Sequence, residues 1–112
     1  MNQLHTIPDL ESRLAARTTV LYKHSTRCPI SAAAHRQMEA FLERSPDAPV
    51  FMVDVHAAEE LSDYIVEKTG IGHESPQLIL LRGGKPVWSI AHSAITAQSL
   101  EEQLAARSRP SA

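Results

Sequence analysis

The sequence predicts an α/β fold in which one mixed sheet lies between two layers of helices, in the order (β)αβαβαββα. Stretches rich in β-branched residues alternate with stretches of helical periodicity. The strand–helix–strand segment 18–55 requires two parallel strands joined by a right-handed crossover. Gly83-Gly84 separates two further short strands and predicts an antiparallel hairpin. Together these features predict a three-layer α/β/α sandwich.

The first half of the chain contains two predicted strands and two predicted helices. We expect a short strand at 3–7 and a helix that starts at Pro8 and fades near residue 17. A strand at 18–25 leads into a long amphipathic helix, Pro29–Arg44. Its apolar positions are Ile30, Ala34, Met38, Phe41 and Leu42.

The second half begins with a stretch at 50–55 that is apolar on both faces, as in a central parallel strand. Gly70 suits the left-handed position that closes a helix, and Thr96 suits an N-cap. The remaining expected elements are a helix at 57–68, a strand at 77–81, a turn at 82–85, an edge strand at 86–91 and a last helix after Thr96.

Length and charge favour one domain with a single core. We expect this domain at 1–107 and a frayed tail at 108–112. The net charge of -2 makes nucleic acid and anionic membranes poor candidates as partners. The N-terminus lacks the pattern of a signal peptide, and no stretch is apolar enough to span a bilayer. A reduced, cytoplasmic setting and a monomer are the expected defaults.

Cys28 is the only cysteine, and it lies where a strand gives way to a helix. Pro29 fits the first helical position, which places Cys28 at the N-cap. Unpaired amides and the helix dipole favour a thiolate there, and Lys23, His24 and Arg27 can add positive potential. The simpler interpretation is a small buried apolar side chain.

The cysteine count bears on the chemistry that Cys28 can perform. With no second cysteine, a mixed disulfide on Cys28 has no internal thiol to resolve it, which leaves monothiol exchange. Ser31 lies at the third helical position, where its hydroxyl can hydrogen-bond the sulfur. Alternatively, Ser31 is an ordinary first-turn serine that satisfies a backbone group.

Four histidines, His24, His56, His73 and His92, adjoin strand ends at the edge of the sheet where Cys28 lies. Such a group can bind an anionic thiol, but its spacing does not favour a metal site, and we predict none. His92 is the strongest candidate for a contact near the sulfur. His5 and His35 carry no signal, Asp54 is a strand-end carboxylate with no assigned role, and Trp88 is expected to pack on the sheet.

Two segments carry a resemblance to a known family. Residues 23–31, with Thr26-Arg27-Cys28-Pro29-Ile30-Ser31, and residues 92–96 resemble the monothiol bacilliredoxins of the bacillithiol system. That family has the thioredoxin fold, and the element order matches it over nearly the whole chain, including a Ser75-Pro76 directly ahead of a strand.

The resemblance implies a role for individual residues. Cys28 is the implied nucleophile, and Ser31 occupies the place of the resolving cysteine in dithiol relatives. Pro76 is the implied cis proline, with the Ser75 backbone pairing with an extended substrate. The remaining residues implied in thiolate stabilisation or substrate binding are Thr26, Arg27, Pro29 and His92. Thioredoxins have a glycine near the position that His92 occupies in this sequence.

The resemblance further implies removal of a low-molecular-weight thiol, bacillithiol, from S-thiolated client proteins, with no bound cofactor. Nothing in the residues distinguishes bacillithiol from glutathione or coenzyme A. Two other interpretations stay open. One is an iron–sulfur or metal carrier like the monothiol glutaredoxins. The residue after the cysteine argues against it, because this chain has Pro29 where those proteins have glycine. The other is a non-catalytic, thiol-sensing interaction domain. An unperturbed pKa of the Cys28 thiol, about 8.5, would favour this interpretation over catalysis.

Overall fold

The computed structural model describes the backbone of residues 1–26 and 29–108, and the side chains of all of these except 107 and 108. It contains five strands and four α-helices, in the predicted order. These are β1 (Asn2–Gln3), α1 (Ile7–Leu14), β2 (Thr18–His24), α2 (Pro29–Arg44), β3 (Val50–Asp54), α3 (Glu59–Thr69), β4 (Gln77–Arg82), β5 (Lys85–Ala91) and α4 (Ala97–Ser108), with a short 3-10 helix (His92–Ala94) before α4.

The five strands form one mixed sheet in the spatial order β1-β3-β2-β4-β5. Strands β1, β3 and β2 run parallel, whereas β4 lies antiparallel to both β2 and β5. The crossover through α2 therefore joins two parallel neighbours, and the glycine turn joins two antiparallel ones, as the sequence predicts. Because β2 is the central strand, its carboxyl end and the start of α2 lie at the middle of the sheet.

Each face of the sheet is covered by two helices. One core packs α2 and α4 on Val20, Tyr22, Leu78 and Leu80, and the other packs α1 and α3 against the opposite face. Side chains alternate along a strand, so Tyr22 lies under α2 while Lys23, its neighbour, lies on the α1–α3 face. The predicted α/β/α sandwich is confirmed.

The first strand is shorter than predicted. It ends at Gln3 because Thr6 already caps α1: the Thr6 side chain accepts from the Asp9 N–H, and the Asp9 side chain accepts from the Thr6 N–H. Such a capping box satisfies two backbone amides that a helix start leaves without partners. The helix therefore begins at Ile7, one residue before Pro8.

The buried face of α2 differs from the predicted one at its start. Ile30 is 46% exposed, and the buried positions are Ser31, Ala34, Met38 and Phe41. These four residues follow the three-and-four spacing of one helix face, and Ile30 lies outside it. The prediction that Ile30 belongs to the core is wrong.

Three other predictions about single residues are confirmed. Gly70 adopts a φ of 72° and closes α3, and Trp88 packs partly buried on the α2–α4 core. Thr96 caps α4 by accepting from the Ser99 N–H. The predicted tail starts at Ser108, the last residue of α4, and its other residues lie outside the described part of the chain. Within that part, the helices are too short or too polar to cross a bilayer.

Candidate active site

The site lies where β2 ends and α2 begins. Thr26 is an exposed turn residue, and Pro29 occupies the first position of α2, where its missing N–H leaves no hydrogen bond unmade. Arg27 and Cys28 lie outside the described residues. The roles predicted for them therefore stay predictions, and the surrounding residues define the site.

Two hydroxyl groups near this junction are buried and have no hydrogen-bond partner among the described residues. They belong to Ser31, which has no exposed surface, and to Ser75 in the loop before β4. A buried hydroxyl without a partner costs free energy of about 1–3 kcal/mol. Among the described residues, the Ser31 hydroxyl therefore has no backbone partner.

The loop 72–76 is held in place by backbone and side-chain hydrogen bonds. The Gln77 amide donates to the Gly72 carbonyl oxygen at 3.2 Å and accepts from the Glu74 N–H at 3.4 Å. The His92 N–H donates to the Pro76 carbonyl oxygen at 2.9 Å, and the Ser75–Pro76 peptide bond is cis. The loop is thus tied to both β4 and the 3-10 helix.

A fully buried lysine supports the same loop from beneath. The Lys23 side chain has no exposed surface, and its Nζ lies 2.7 Å from Nδ1 of His73. Burial lowers the pKa of Lys23 to about 8, although the negative charges of Asp63 and Glu74 act to raise it. Burial and the neighbouring Lys23 charge lower the pKa of His73 as well. The sequence predicted positive potential from Lys23 and did not predict this partner.

His92 holds a carboxylate at the surface of the site. Its Nε2 lies 2.9 Å from Oε2 of Glu74, and the two side chains are 48% and 50% exposed. His92 has a φ of 58°, the only positive φ of a described non-glycine residue. The 3-10 helix that carries it packs on α2, which brings His92 to the side of the site that faces Pro76.

Beneath α2, a tyrosine joins two histidines. The Tyr22 hydroxyl lies 2.9 Å from Nδ1 of His24 and 3.1 Å from Nδ1 of His35. Since the hydroxyl has one hydrogen, it donates to one ring and accepts from the other. Burial raises the pKa of Tyr22, and burial together with the His35 charge lowers the pKa of His24. The contact with His35, a residue that carries no signal in the sequence, was not predicted.

A second polar group steadies the turn that leads to Thr26. The Ser25 hydroxyl lies 2.8 Å from Nε2 of the His56 ring. The backbone N–H of His56 donates to Oδ1 of Asp54 at 3.0 Å. Hydrogen bonds from the Ala57 and His56 N–H groups lower the pKa of Asp54 despite some burial. Asp54 therefore has a structural role that the sequence did not reveal, because it fixes the loop that carries His56.

The four predicted histidines share one edge of the sheet but contact different partners. His24 contacts Tyr22, and His56 contacts Ser25. His73 contacts Lys23, and His92 contacts Glu74. Within residues 1–26 and 29–108, no three histidine, aspartate or glutamate side chains are grouped in a way that could hold a metal ion. Each of these histidines therefore makes a separate contact near this edge of the sheet.

Comparison with known proteins agrees with this architecture. The family model of the monothiol bacilliredoxin BrxC matches residues 2–100. The chain belongs to the monothiol bacilliredoxin family.

Solved structures similar to this bacilliredoxin share its fold. A candidate oxidoreductase with a thioredoxin fold is 35% identical, with a TM-score of 0.84 over 90% of each chain. Thioredoxin from Fasciola hepatica is 23% identical, with a TM-score of 0.73 over 95% of this chain and 98% of that one. Mitochondrial thioredoxin 3 from Saccharomyces cerevisiae is 13% identical, with a TM-score of 0.76 over 95% and 94%. The bacilliredoxin chain therefore has the thioredoxin fold.

Proposed function

We propose that this bacilliredoxin is a thiol–disulfide oxidoreductase that removes a low-molecular-weight thiol, bacillithiol, from S-thiolated proteins through a mixed disulfide on Cys28. The observation that carries the proposal is the position of the only cysteine, directly ahead of Pro29 in a chain that matches the monothiol family over residues 2–100. The buried Ser31 hydroxyl, two residues into α2 and without a partner among the described residues, supports it.

The exchange conserves atoms and electrons. The Cys28 thiolate attacks the small-thiol sulfur of the client's mixed disulfide, the client cysteine leaves as a thiolate and takes up a proton, and Cys28 then carries the small thiol. A second thiol molecule attacks that sulfur, forms a symmetric or mixed small disulfide and releases the Cys28 thiolate. The client is reduced, and the second thiol is oxidised. No bound cofactor enters either step.

The surrounding residues have distinct proposed roles. Ser31 donates a hydrogen bond to the thiolate, Pro29 fixes the helix start, and Thr26 with Arg27 shapes access to the sulfur. The backbone of Ser75, next to Pro76, pairs with the client, and His92 contacts the small thiol. A Ser31→Ala variant should raise the pKa of the Cys28 thiol, which the pH dependence of thiolate absorbance measures. An unchanged thiol pKa would remove Ser31 from this scheme.

The proposed activity has a direct test. A reporter protein with one cysteine is S-bacillithiolated, and the release of bacillithiol is followed with the wild type, Cys28→Ser and Ser93→Ala. Ser93 is exposed on the 3-10 helix and serves as the matched control. We expect release by the wild type and the control and none by Cys28→Ser. Equal release by all three would refute the activity, and a glutathionylated reporter run in parallel identifies which thiol is preferred.

The setting of this chemistry is also a proposal. Recycling by a second thiol needs a reduced pool, so we place the protein in the cytoplasm as a monomer that meets its clients transiently. Fractionation of the native host and light scattering of the purified protein test these two points.

A further inference from the structure

Lys23 and Gln77 support the loop before β4 from the same face of the sheet. They are register partners on the antiparallel strands β2 and β4, so their side chains point to the same side, and both are buried. The Gln77 amide donates to the Gly72 carbonyl oxygen and accepts from the Glu74 N–H. Lys23 contacts His73, the residue between these two. One cross-strand pair therefore holds three consecutive residues of the loop.

The three supported residues come immediately before the backbone at which the proposed client docks. Ser75 and Pro76 follow them directly in the chain, and the Pro76 carbonyl oxygen accepts from the His92 N–H. An extended peptide can pair with a backbone only where its N–H and C=O groups keep a fixed direction. The support from Lys23 therefore bears on the direction of the Ser75 backbone.

The contact between Lys23 and His73 requires a neutral imidazole. A lysine ammonium has hydrogens to donate and no acceptor, so Nδ1 of His73 accepts from Nζ at 2.7 Å. The neutral ring then carries its hydrogen on Nε2. A proton on Nδ1 would place two donors and two positive charges face to face at this distance, and the hydrogen bond would be lost.

Solvent protons can reach this contact through the histidine. His73 is exposed, whereas the lysine beneath it is fully buried. The other charges that act on both groups are Asp63 on α3 and Glu74 in the loop, and both favour protonation. Burial and the Lys23 charge outweigh them and lower the pKa of His73. The contact is therefore made at neutral pH and opened by acid.

We propose that Lys23 and His73 are positioning residues, whose contact holds the Ser75 backbone in the conformation that receives an extended client. Protonation of His73 breaks the contact and releases the loop. The inference rests on the proposed function and adds to it a pH-dependent preference for clients that present a polypeptide backbone beside the mixed disulfide. A substrate without such a backbone does not use the loop.

Two mixed disulfides of the same small thiol test the positioning. Bacillithiol is joined in one to the single cysteine of an unstructured peptide without titratable side chains, and in the other to cysteamine, which has no peptide backbone. The measured quantity is the ratio of kcat/KM for the peptide to that for the cysteamine disulfide. Because both reactions use the same thiolate, titration of Cys28 cancels in this ratio.

The wild-type ratio should depend on the protonation of His73. We expect it to fall about three- to tenfold as the pH drops below 6.5, mainly through the KM of the peptide, since one hydrogen bond that orders the loop is lost. His73→Asn keeps an acceptor at the position of Nδ1 that does not take up a proton in this range. The ratio of this variant should stay at the neutral wild-type value. A fall that persists in His73→Asn would overturn the proposal.

Removal of either partner should have the same effect as acid. His73→Leu lacks the acceptor and Lys23→Met lacks the donor, so both should show the lowered ratio at every pH. Because they break one contact, the double variant should be no lower than either single variant. His5→Leu removes an exposed histidine ahead of α1 and serves as the matched control, with the wild-type ratio expected. Equal ratios for His73→Leu and His5→Leu would overturn the positioning role and leave the exchange activity intact.

A measurement without chemistry keeps the two proposals separable. In Cys28→Ser, NMR follows the ring nitrogens of His73 and the order parameters of the Glu74 and Ser75 amides on either side of the His73 titration. We expect Nδ1 without a hydrogen at neutral pH, and order parameters that fall on the acid side unless His73→Asn is added. Order parameters that stay constant while the ring titrates would overturn the positioning role whether or not the protein catalyses exchange. Failure to release thiol from either disulfide would instead refute the proposed function.

Discussion

The Nζ atom of Lys23 lies 2.7 Å from Nδ1 of His73, and no part of this lysine side chain is exposed. A fully buried lysine is rare because its ammonium loses the hydration that stabilises it in water. Its pKa falls to about 8, compared with 10.5 in an unfolded chain. The folded protein therefore binds this proton less tightly than the unfolded chain does.

This difference predicts how stability depends on pH. Between pH 8 and 10.5 the unfolded chain binds more protons at Lys23, so the free energy of unfolding rises with pH in that window. The free energy of unfolding of the wild type minus that of Lys23→Met should rise there by up to about 3 kcal/mol. This difference should stay level just below the window, above the pH range in which His73 titrates. Denaturant unfolding at a series of pH values measures it. A level difference across the window, or the same rise for the exposed Lys68→Met, would contradict the prediction.

The hydroxyl of Tyr22 should stabilise the protein more than that of Tyr64. Tyr22→Phe leaves Nδ1 of both His24 and His35 without this partner beneath α2, which should cost about 1–3 kcal/mol of unfolding free energy. Tyr64 donates its hydroxyl hydrogen to Glu11 at the surface, so Tyr64→Phe should cost no more than about 0.5 kcal/mol. Urea unfolding of the two variants compares them, and equal losses would show that the buried cluster contributes nothing particular.

The two glycines of the hairpin should respond differently to alanine. Both have positive φ values, 58° at Gly83 and 80° at Gly84, so alanine at either position lowers stability through steric strain in a left-handed backbone. A Cβ on Gly84 would also lie 2.9 Å from the Leu14 carbonyl oxygen, whereas one on Gly83 meets no atom within 4 Å. Gly84→Ala should therefore be less stable than Gly83→Ala by about 1–3 kcal/mol. Thermal and urea unfolding test this, and the reverse order would be inconsistent with the described packing of α1 on the turn.

The fold could be predicted because its signals are local. Breakers such as Gly70 and the Gly83-Gly84 turn end elements where the structure ends them, and helix α2 has the predicted bounds, Pro29–Arg44. The error at Ile30 has a physical cause: in the first turn of α2 the face that packs on the sheet passes through Ser31, so an apolar residue one position earlier points away.

The polar supports of the site could not be predicted in the same way. Strand alternation places Tyr22 and His24 on one face, but the contact with His35 joins residues 13 positions apart, and the one between Lys23 and His73 joins residues 50 apart. Such pairs depend on how helices and loops pack on the sheet. A sequence pattern gives the face of a side chain and leaves its partner undetermined.

The last prediction concerns the backbone at His92. Both His92→Gly and His92→Ala remove the imidazole and its contact with Glu74, so the difference between them isolates the cost of a φ of 58°. Glycine adopts this conformation without steric strain and alanine does not, so the glycine variant should be more stable by about 1 kcal/mol, even after its larger loss of chain entropy. Urea unfolding with equal m-values measures this difference. If alanine were equal or better, the hydrogen bond to Pro76 would not be holding this residue in a left-handed conformation.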